Sequence, residues 1–336
     1  MKETPVLFGP DRSLVGIVNT PDAEGKMAPV ACLMLNMGAN YRVGPHRINV
    51  KLAREMAAHG ISSIRFDLAG LGDSGQPSGA GHFMKQVVLD MQAAMNLVET
   101  MLGIRRFIVI GLCSGSTSGM ATAMVDPRIV GILMFDGYAF PGRRSQLELA
   151  LHRALAVPTN PAVIGKTMRW LKRKFSAKAA AARAPADLFE PVPREVTEEI
   201  FHRSMTQLVG RGVALFFLYT GTTHVRDHGR DQLGRFAAEP YARHIDYRFM
   251  GEIDHGLTSL ASQRTFMAAV CEWALRVARG RTPGQQHAAA KAAPAEPGPG
   301  LSLNALAALP DNALQPADAA AAPEGQPQAT TKTIAG

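Results

Sequence analysis

The chain has 336 residues, of which 46% are hydrophobic, 19% charged and 6% aromatic, with a formal net charge of +8 at pH 7. Those figures allow one large domain or two small ones, and they exclude a collagenous or wholly disordered chain. No apolar run reaches the ~18 residues of a membrane span, and the first twenty residues lack the basic, apolar, small-residue order of a signal peptide, so a cytoplasmic protein is expected. Cys32, Cys113 and Cys271 lie far apart with no metal-type spacing, and an odd count makes no disulfide framework.

In chain order, short apolar runs bounded by turn residues alternate with segments of helical period. This is the pattern of a buried parallel sheet with crossover helices. Val6 to Phe8 and Leu14 to Val18 flank a Gly9-Pro10-Asp11 turn and predict an opening hairpin. Strands are then expected at Val30 to Leu35, Ile61 to Phe66, Phe107 to Ile110, Ile129 to Phe135 and Val213 to Tyr219. Ile48, Leu52 and Met56 predict a helix stopped by Gly60, and Val87, Met91, Met95 and Val98 form a second helical face. Ile245, Tyr247 and Phe249 alternate with polar residues as on a half-exposed strand, and a last helix is expected from about Thr258. The layout is α/β, with eight mostly parallel strands formed by residues 1–140 and 211–280.

Two segments depart from it. Residues 141–210 interrupt the alternation and predict a helical cap. Between Pro141 and Arg183, ten Lys or Arg residues (143, 144, 153, 166, 169, 172, 173, 174, 178 and 183) stand against Glu148 alone. The high isoelectric point therefore belongs to one segment and does not indicate a nucleic-acid-binding protein. Trp170, Leu171, Phe175, Leu188 and Phe189 are candidates to line a pocket there, with Lys172, Arg173 and Lys174 facing outward. Residues 281–336 contain no aromatic residue and eight of the 22 prolines, so a disordered tail is expected.

The chemistry centres on Gly111-Leu112-Cys113-Ser114-Gly115, which follows the Phe107 strand and precedes a run of small residues able to start a helix. A strand, a G-x-nucleophile-x-G turn and a helix make a nucleophile elbow. Here the central residue is Cys113, whose thiolate a helix N-terminus favours. Ser114 is a weaker alternative nucleophile, and its backbone N–H falls where an oxyanion donor belongs. These residues resemble the α/β-hydrolase superfamily, as do Asn36-Met37-Gly38-Ala39, Asp67 with Gly70-Leu71-Gly72-Asp73-Ser74, and Asp254-His255-Gly256.

That resemblance implies an α/β-hydrolase fold, an oxyanion loop at Gly38 and Ala39 lacking the family's usual His, and His255 as the base. For the acid it leaves two positions open, Asp227 past strand seven and Asp136 at the end of strand six. Asp67 and Asp73 read as loop braces, Cys32 and Cys271 as buried and inert. More narrowly, Tyr41-Arg42-Val43-Gly44-Pro45-His46-Arg47, GLCSG and Asp136-Gly137-Tyr138-Ala139 resemble bacterial hydrolases encoded beside exosortase and exopolysaccharide systems. The expected activity is hydrolysis of an ester or thioester through an acyl-enzyme, without metal or organic cofactor. An acyltransferase using the same acyl-thioenzyme and a non-catalytic binding protein of this fold are the alternatives. The substrate is expected to be a small acyl compound, free or bound to coenzyme A or a carrier protein, and the basic cap offers a contact to a membrane surface.

Overall fold

The computed structural model describes residues 1–22, 27–38, 40–77, 83–156, 193–221, 226–283 and 286. The expected pocket-lining and basic residues of the cap between 157 and 192, and the tail beyond 286, lie outside the described residues.

The opening hairpin pairs β1 (Lys2–Phe8) with β2 (Leu14–Thr20), antiparallel from Lys2↔Thr20 to Phe8↔Leu14. The remaining strands are β3 (Ala31–Met34), β4 (Ser62–Phe66), β5 (Phe107–Leu112), β6 (Ile129–Phe135), β7 (Ala214–Thr220) and β8 (Ile245–Met250). They form one sheet in the order β1-β2-β4-β3-β5-β6-β7-β8. β2 is antiparallel to both its neighbours, and every other pair is parallel. That order with β2 reversed is the α/β-hydrolase sheet, so the expected fold class holds.

The central strands read as continuous apolar runs because helices cover both faces. Helices α1 (Ile48–Ala58) and α6 (Leu260–Ala278) bury Leu52, Met56, Phe266, Val270 and Trp273 on one face. On the other, α2 (Phe83–Leu102) and α3 (Ser114–Val125) bury Val87, Met91, Met95, Met120 and Met124. β8, at the sheet's edge, is only partly buried beyond Ile245, as its alternating pattern predicts.

Between β6 and β7 the structure describes α4 (Arg143–Ala156) and α5 (Arg194–Gly210). The segment assigned to a cap from its sequence, 141–210, ends in a helix that belongs to the core. Phe201, Met205 and Leu208 of α5 are fully buried in the same apolar cluster as Met120 and Phe217. A parallel β6-to-β7 connection needs a crossover helix on the sheet, and α5 provides it. Among the described residues, no helix is long and apolar enough to cross a membrane.

Candidate active site

Cys113, Asp136 and His255 gather at the C-terminal ends of β5, β6 and β8. β5 runs one strand-length into Leu112, and α3 begins at Ser114, which leaves Cys113 alone on the turn at φ 52°, ψ −115°. Such a backbone is unfavourable for a residue with a Cβ and persists only where its surroundings enforce it. Two contacts do so here: Cys113 N–H donates to the Phe135 carbonyl of β6 (2.9 Å), and its own carbonyl accepts from Ser116 N–H (3.0 Å). The chain can reverse this tightly because Gly111 lacks a side chain. A Cβ there would stand 2.7 Å from the Gly115 carbonyl oxygen and from the backbone of Ser116. Cys113 is half-buried, whereas Cys32 and Cys271 are buried. Burial raises both of the latter thiols, Cys271 to about 12, as expected for inert core residues.

His255 sits in the loop between β8 and α6. Gly221 N–H donates to the Ile253 carbonyl (3.1 Å), and the Asp254 carboxylate accepts from Thr258 N–H (3.1 Å), so both sides of the histidine are pinned. Its ring stacks on Phe135, 5.9 Å between centroids at 20°.

His255 Nδ1 lies 2.8 Å from Asp136 Oδ2. An ionised carboxylate only accepts, so Nδ1 carries the proton and Nε2 is the ring nitrogen left for Cys113. Burial alone would lower the basicity of His255. Its hydrogen bonds to the Asp136 carboxylate and to Cys113 outweigh that and lift it from 6.5 to about 10.

Of the two acids left open by the sequence, the structure brings Asp136 to His255 and places Asp227 elsewhere. Asp136 follows β6 directly, at φ 45°. Its carboxylate accepts from Thr220 N–H (2.8 Å) and Thr220 Oγ1–H (2.6 Å) as well as from His255. Thr220 ends β7, so the acid is clamped between two neighbouring strand ends. Asp227 instead accepts from Gly229 N–H (3.1 Å) and Asp231 N–H (2.8 Å), closing the turn that leads into the short helical segment Asp231–Ala238. The physical reason is reach: the Asp227 carboxylate is taken up by its own turn, while Asp136, directly after β6, needs no loop at all. Of the other histidines considered for the cleft, His46 is exposed, His228 pairs with Asp231 (3.0 Å), and His224 lies outside the described residues.

The oxyanion side is partly described. Ser114 is the first residue of α3, and the N–H groups of a first helical turn have no acceptor within the helix. Gly38 N–H, expected to point at an oxyanion, donates to Ser114 Oγ (2.9 Å). The Ser114 hydroxyl, read from the sequence as a reserve nucleophile, thus ties the loop after β3 to the start of α3. Ala39 lies outside the described residues.

A polar cluster missed as a unit by sequence reasoning fixes that same loop. Asn36 Nδ2 donates to the Asn40 carbonyl (2.7 Å) and to Asp67 Oδ1 (2.9 Å), while its Oδ1 accepts from Leu68 N–H (2.9 Å). Asp67, fully buried, also accepts from Arg42 N–H (2.6 Å) and pairs with the Arg42 guanidinium, which reaches Asp73 as well (2.7 Å). Asp67 and Asp73 are the loop braces expected. Arg42 is the partner that unites them, and its signal was present in Tyr41-Arg42-Val43 without a stated role. Among the described residues no group of His, Cys, Asp or Glu is placed to hold a metal ion.

No protein-family model matches the chain. No curated protein matches it either. Solved structures do show likeness at low identity. An α/β-hydrolase of undetermined function from Agrobacterium tumefaciens is 13% identical, covering 84% of this chain and 98% of that one with a TM-score of 0.49. An esterase from Pyrococcus furiosus is 12% identical, with 82% and 91% covered and a TM-score of 0.49. The esterase domain of a Rhodothermus marinus protein is 14% identical, with 82% and 99% covered and a TM-score of 0.48.

Proposed function

We propose that the chain is a hydrolase of esters or thioesters that works through Cys113, His255 and Asp136. The observation that carries this reading is the hydrogen-bonded sequence from Cys113 to His255 to Asp136, set at a turn whose backbone is held at positive φ. A nucleophile, a base and an orienting acid in mutual contact are what acyl transfer requires.

The Cys113 sulfur attacks the acyl carbon as its proton resides on His255, forming a C–S bond while the carbonyl π pair moves onto oxygen. The oxyanion is held by the Ser114 N–H at the helix start, beside the loop of Gly38. Collapse restores the carbonyl and expels the alkoxide or thiolate, which takes the proton from His255. Water then attacks the thioester as His255 removes its proton, and Cys113 leaves with that proton returned. Asp136 stays ionised throughout and stabilises the imidazolium.

Asp136 in contact with His255 removes one of the two reasons to consider a purely binding member of the fold, the displaced acid; the other is the oxyanion loop without the usual His. The acyltransferase reading uses the same acyl-thioenzyme and differs only in what attacks it. The Tyr41–Arg47, GLCSG and DGYA motifs support a narrower proposal, a role beside exosortase and exopolysaccharide systems.

The test is intact-mass analysis after exposure to a panel of acyl thioesters and activated esters, with peptide mapping after brief iodoacetamide treatment. An acyl adduct on Cys113 that decays in water and is absent from Cys113→Ala is the expected result. Alkylation of Cys32 or Cys271 with Cys113 untouched, or full activity in Cys113→Ala, overturns the mechanism. Diversion of the adduct to an added amine or alcohol assigns transfer instead.

A further inference from the structure

Asp136 Oδ2, the oxygen that accepts from His255 Nδ1 at 2.8 Å, accepts a second bond from Thr220 Oγ1–H at 2.6 Å. The other oxygen, Oδ1, takes the Thr220 N–H at 2.8 Å. An ionised carboxylate only accepts, so the threonine hydroxyl is the donor. The hydroxyl and the imidazole therefore share the charge of one oxygen atom. Thr220 is fully buried and the Asp136 side chain is 2% exposed, so water screens neither bond.

The sheet itself delivers this contact. Asp136 N–H donates to the Leu218 carbonyl of β7 (2.9 Å), which extends by one residue the parallel ladder that runs from Gly131↔Ala214 to Phe135↔Leu218. In an evenly spaced parallel ladder the acceptor due to Thr220 N–H is the Asp136 carbonyl. The chain has turned there, at φ 45°, and the side-chain carboxylate accepts that bond instead. Its place in the ladder brings Oδ2 to the hydroxyl of the same threonine. The preceding residue, Tyr219, donates its hydroxyl to the Tyr138 carbonyl (2.5 Å), which ties β7 to the turn two residues past Asp136.

We infer that Thr220 is a positioning residue that sets the basicity of His255 through Asp136. A hydroxyl that donates to Oδ2 draws on charge that would otherwise go wholly to the imidazolium, and so it weakens the pull of Asp136 on the Nδ1 proton. The base must give a proton to the leaving group as well as take one from the thiol. One that is too strong fails at the second step. The same hydroxyl occupies one acceptor site of Oδ2 and leaves the other to Nδ1, which orients the ring. The groups acting on His255 are Asp136 from β6 and Cys113 from the elbow, while Asp254 beside it accepts from Thr258 N–H (3.1 Å). Tyr219 of β7 feels the Asp136 charge, which helps to push its phenol up. The part played in turnover rests on the acyl-transfer reading; the effect on His255 does not.

The experiment follows the His255 imidazole by NMR as the pH is raised, in the whole chain carrying Cys113→Ala so that no thiol titration is coupled to it. Among the signals of the ten histidines, that of His255 is the one lost in His255→Gln. Thr220→Val removes the hydroxyl and keeps the N–H and the branched shape, and the titration midpoint should rise by about 0.5 or more in pH. Thr220→Ser, which keeps the hydroxyl, should titrate with the parent. Thr220→Ala also lacks the hydroxyl and serves if the Val variant fails to fold. A midpoint that stays in place or falls when the hydroxyl is removed overturns the proposal. So does a rise in Thr220→Ser as large as in Thr220→Val, which would assign the effect to packing of the methyl group. The titration needs no substrate, so a missing acyl adduct on Cys113 is a separate failure, that of the acyl-enzyme reading.

Discussion

Two carboxylates buried at the C-terminal edge of the sheet, Asp67 after β4 and Asp136 after β6, face different kinds of partner. Asp67 accepts from Asn36, from Arg42 twice and from Asp73 N–H, and its cation is a guanidinium that never loses its proton. Asp136 accepts twice from Thr220 and once from an imidazole, a cation that does lose its proton. Similar saturation of hydrogen bonds therefore gives one site that fixes geometry and another that governs a proton. Only the second is linked through its imidazole to Cys113, the nucleophile proposed above.

The sharpest way to break this contrast is to remove the fixed charge. Asp67→Ala should lower the free energy of unfolding by about 3–5 kcal/mol in urea titrations, because it leaves the Arg42 guanidinium without its buried partner. Asp136→Asn should cost less, since the amide keeps its shape and can still accept from Thr220. Equal losses would mean that Asp136 is as structural as Asp67.

The catalytic half of the contrast is read from turnover. Asp136→Asn should lower kcat by about two or more orders of magnitude, as the imidazole loses its orienting charge. Asp227→Asn, which disturbs a turn remote from His255, should stay within a few-fold of wild type. A large loss in Asp227→Asn with little in Asp136→Asn would return the acid role to the loop after β7.

A smaller effect separates the two by pH. The basicity of His255 is raised from 6.5 to about 10 in the folded chain, so protonated His255 contributes stability in full below about pH 6.5. That contribution is lost as the pH rises through about 10. The Asp67–Arg42 pair has no such window, because its cation keeps its charge. Urea midpoints at pH 6, 8 and 10 should fall more steeply for wild type than for Asp136→Asn, and parallel curves would remove Asp136 as the cause.

Most of this was legible in the sequence where a single residue reports its own environment. The apolar run Ile129 to Phe135 coincides with β6, and the Gly-x-Cys-x-Gly turn between apolar strand and small-residue helix located Cys113. What the sequence left open depends on pairings between distant segments. Asp136 and His255 are 119 positions apart, and nothing in either local pattern says that the ends of β6 and β8 bring them within 2.8 Å. The same holds for Arg42 with Asp67, and for α5, whose Phe201, Met205 and Leu208 are placed in the core only by the crossover that joins β6 to β7.

The smallest effect concerns the Gly-x-Cys-x-Gly motif itself, whose two glycines are not equivalent in permitting the strained turn. Gly111 does so, because its Cβ would collide at 2.7 Å with backbone that cannot retreat. Gly115 does not: the nearest atom to a Cβ there is the Asn36 carbonyl oxygen at 3.6 Å, an ordinary contact, and its φ is not positive. Gly115 lies in the first turn of α3, where alanine restricts the unfolded chain more than glycine does. Gly115→Ala should therefore raise the unfolding free energy by about 0.4–1 kcal/mol, while Gly111→Ala destabilises. Thermal melts of the two variants decide it. If Gly115→Ala melts below wild type, the turn is tighter on its helical side than these contacts allow, and the approach of the Gly38 loop to Ser114 is the place to look for the strain.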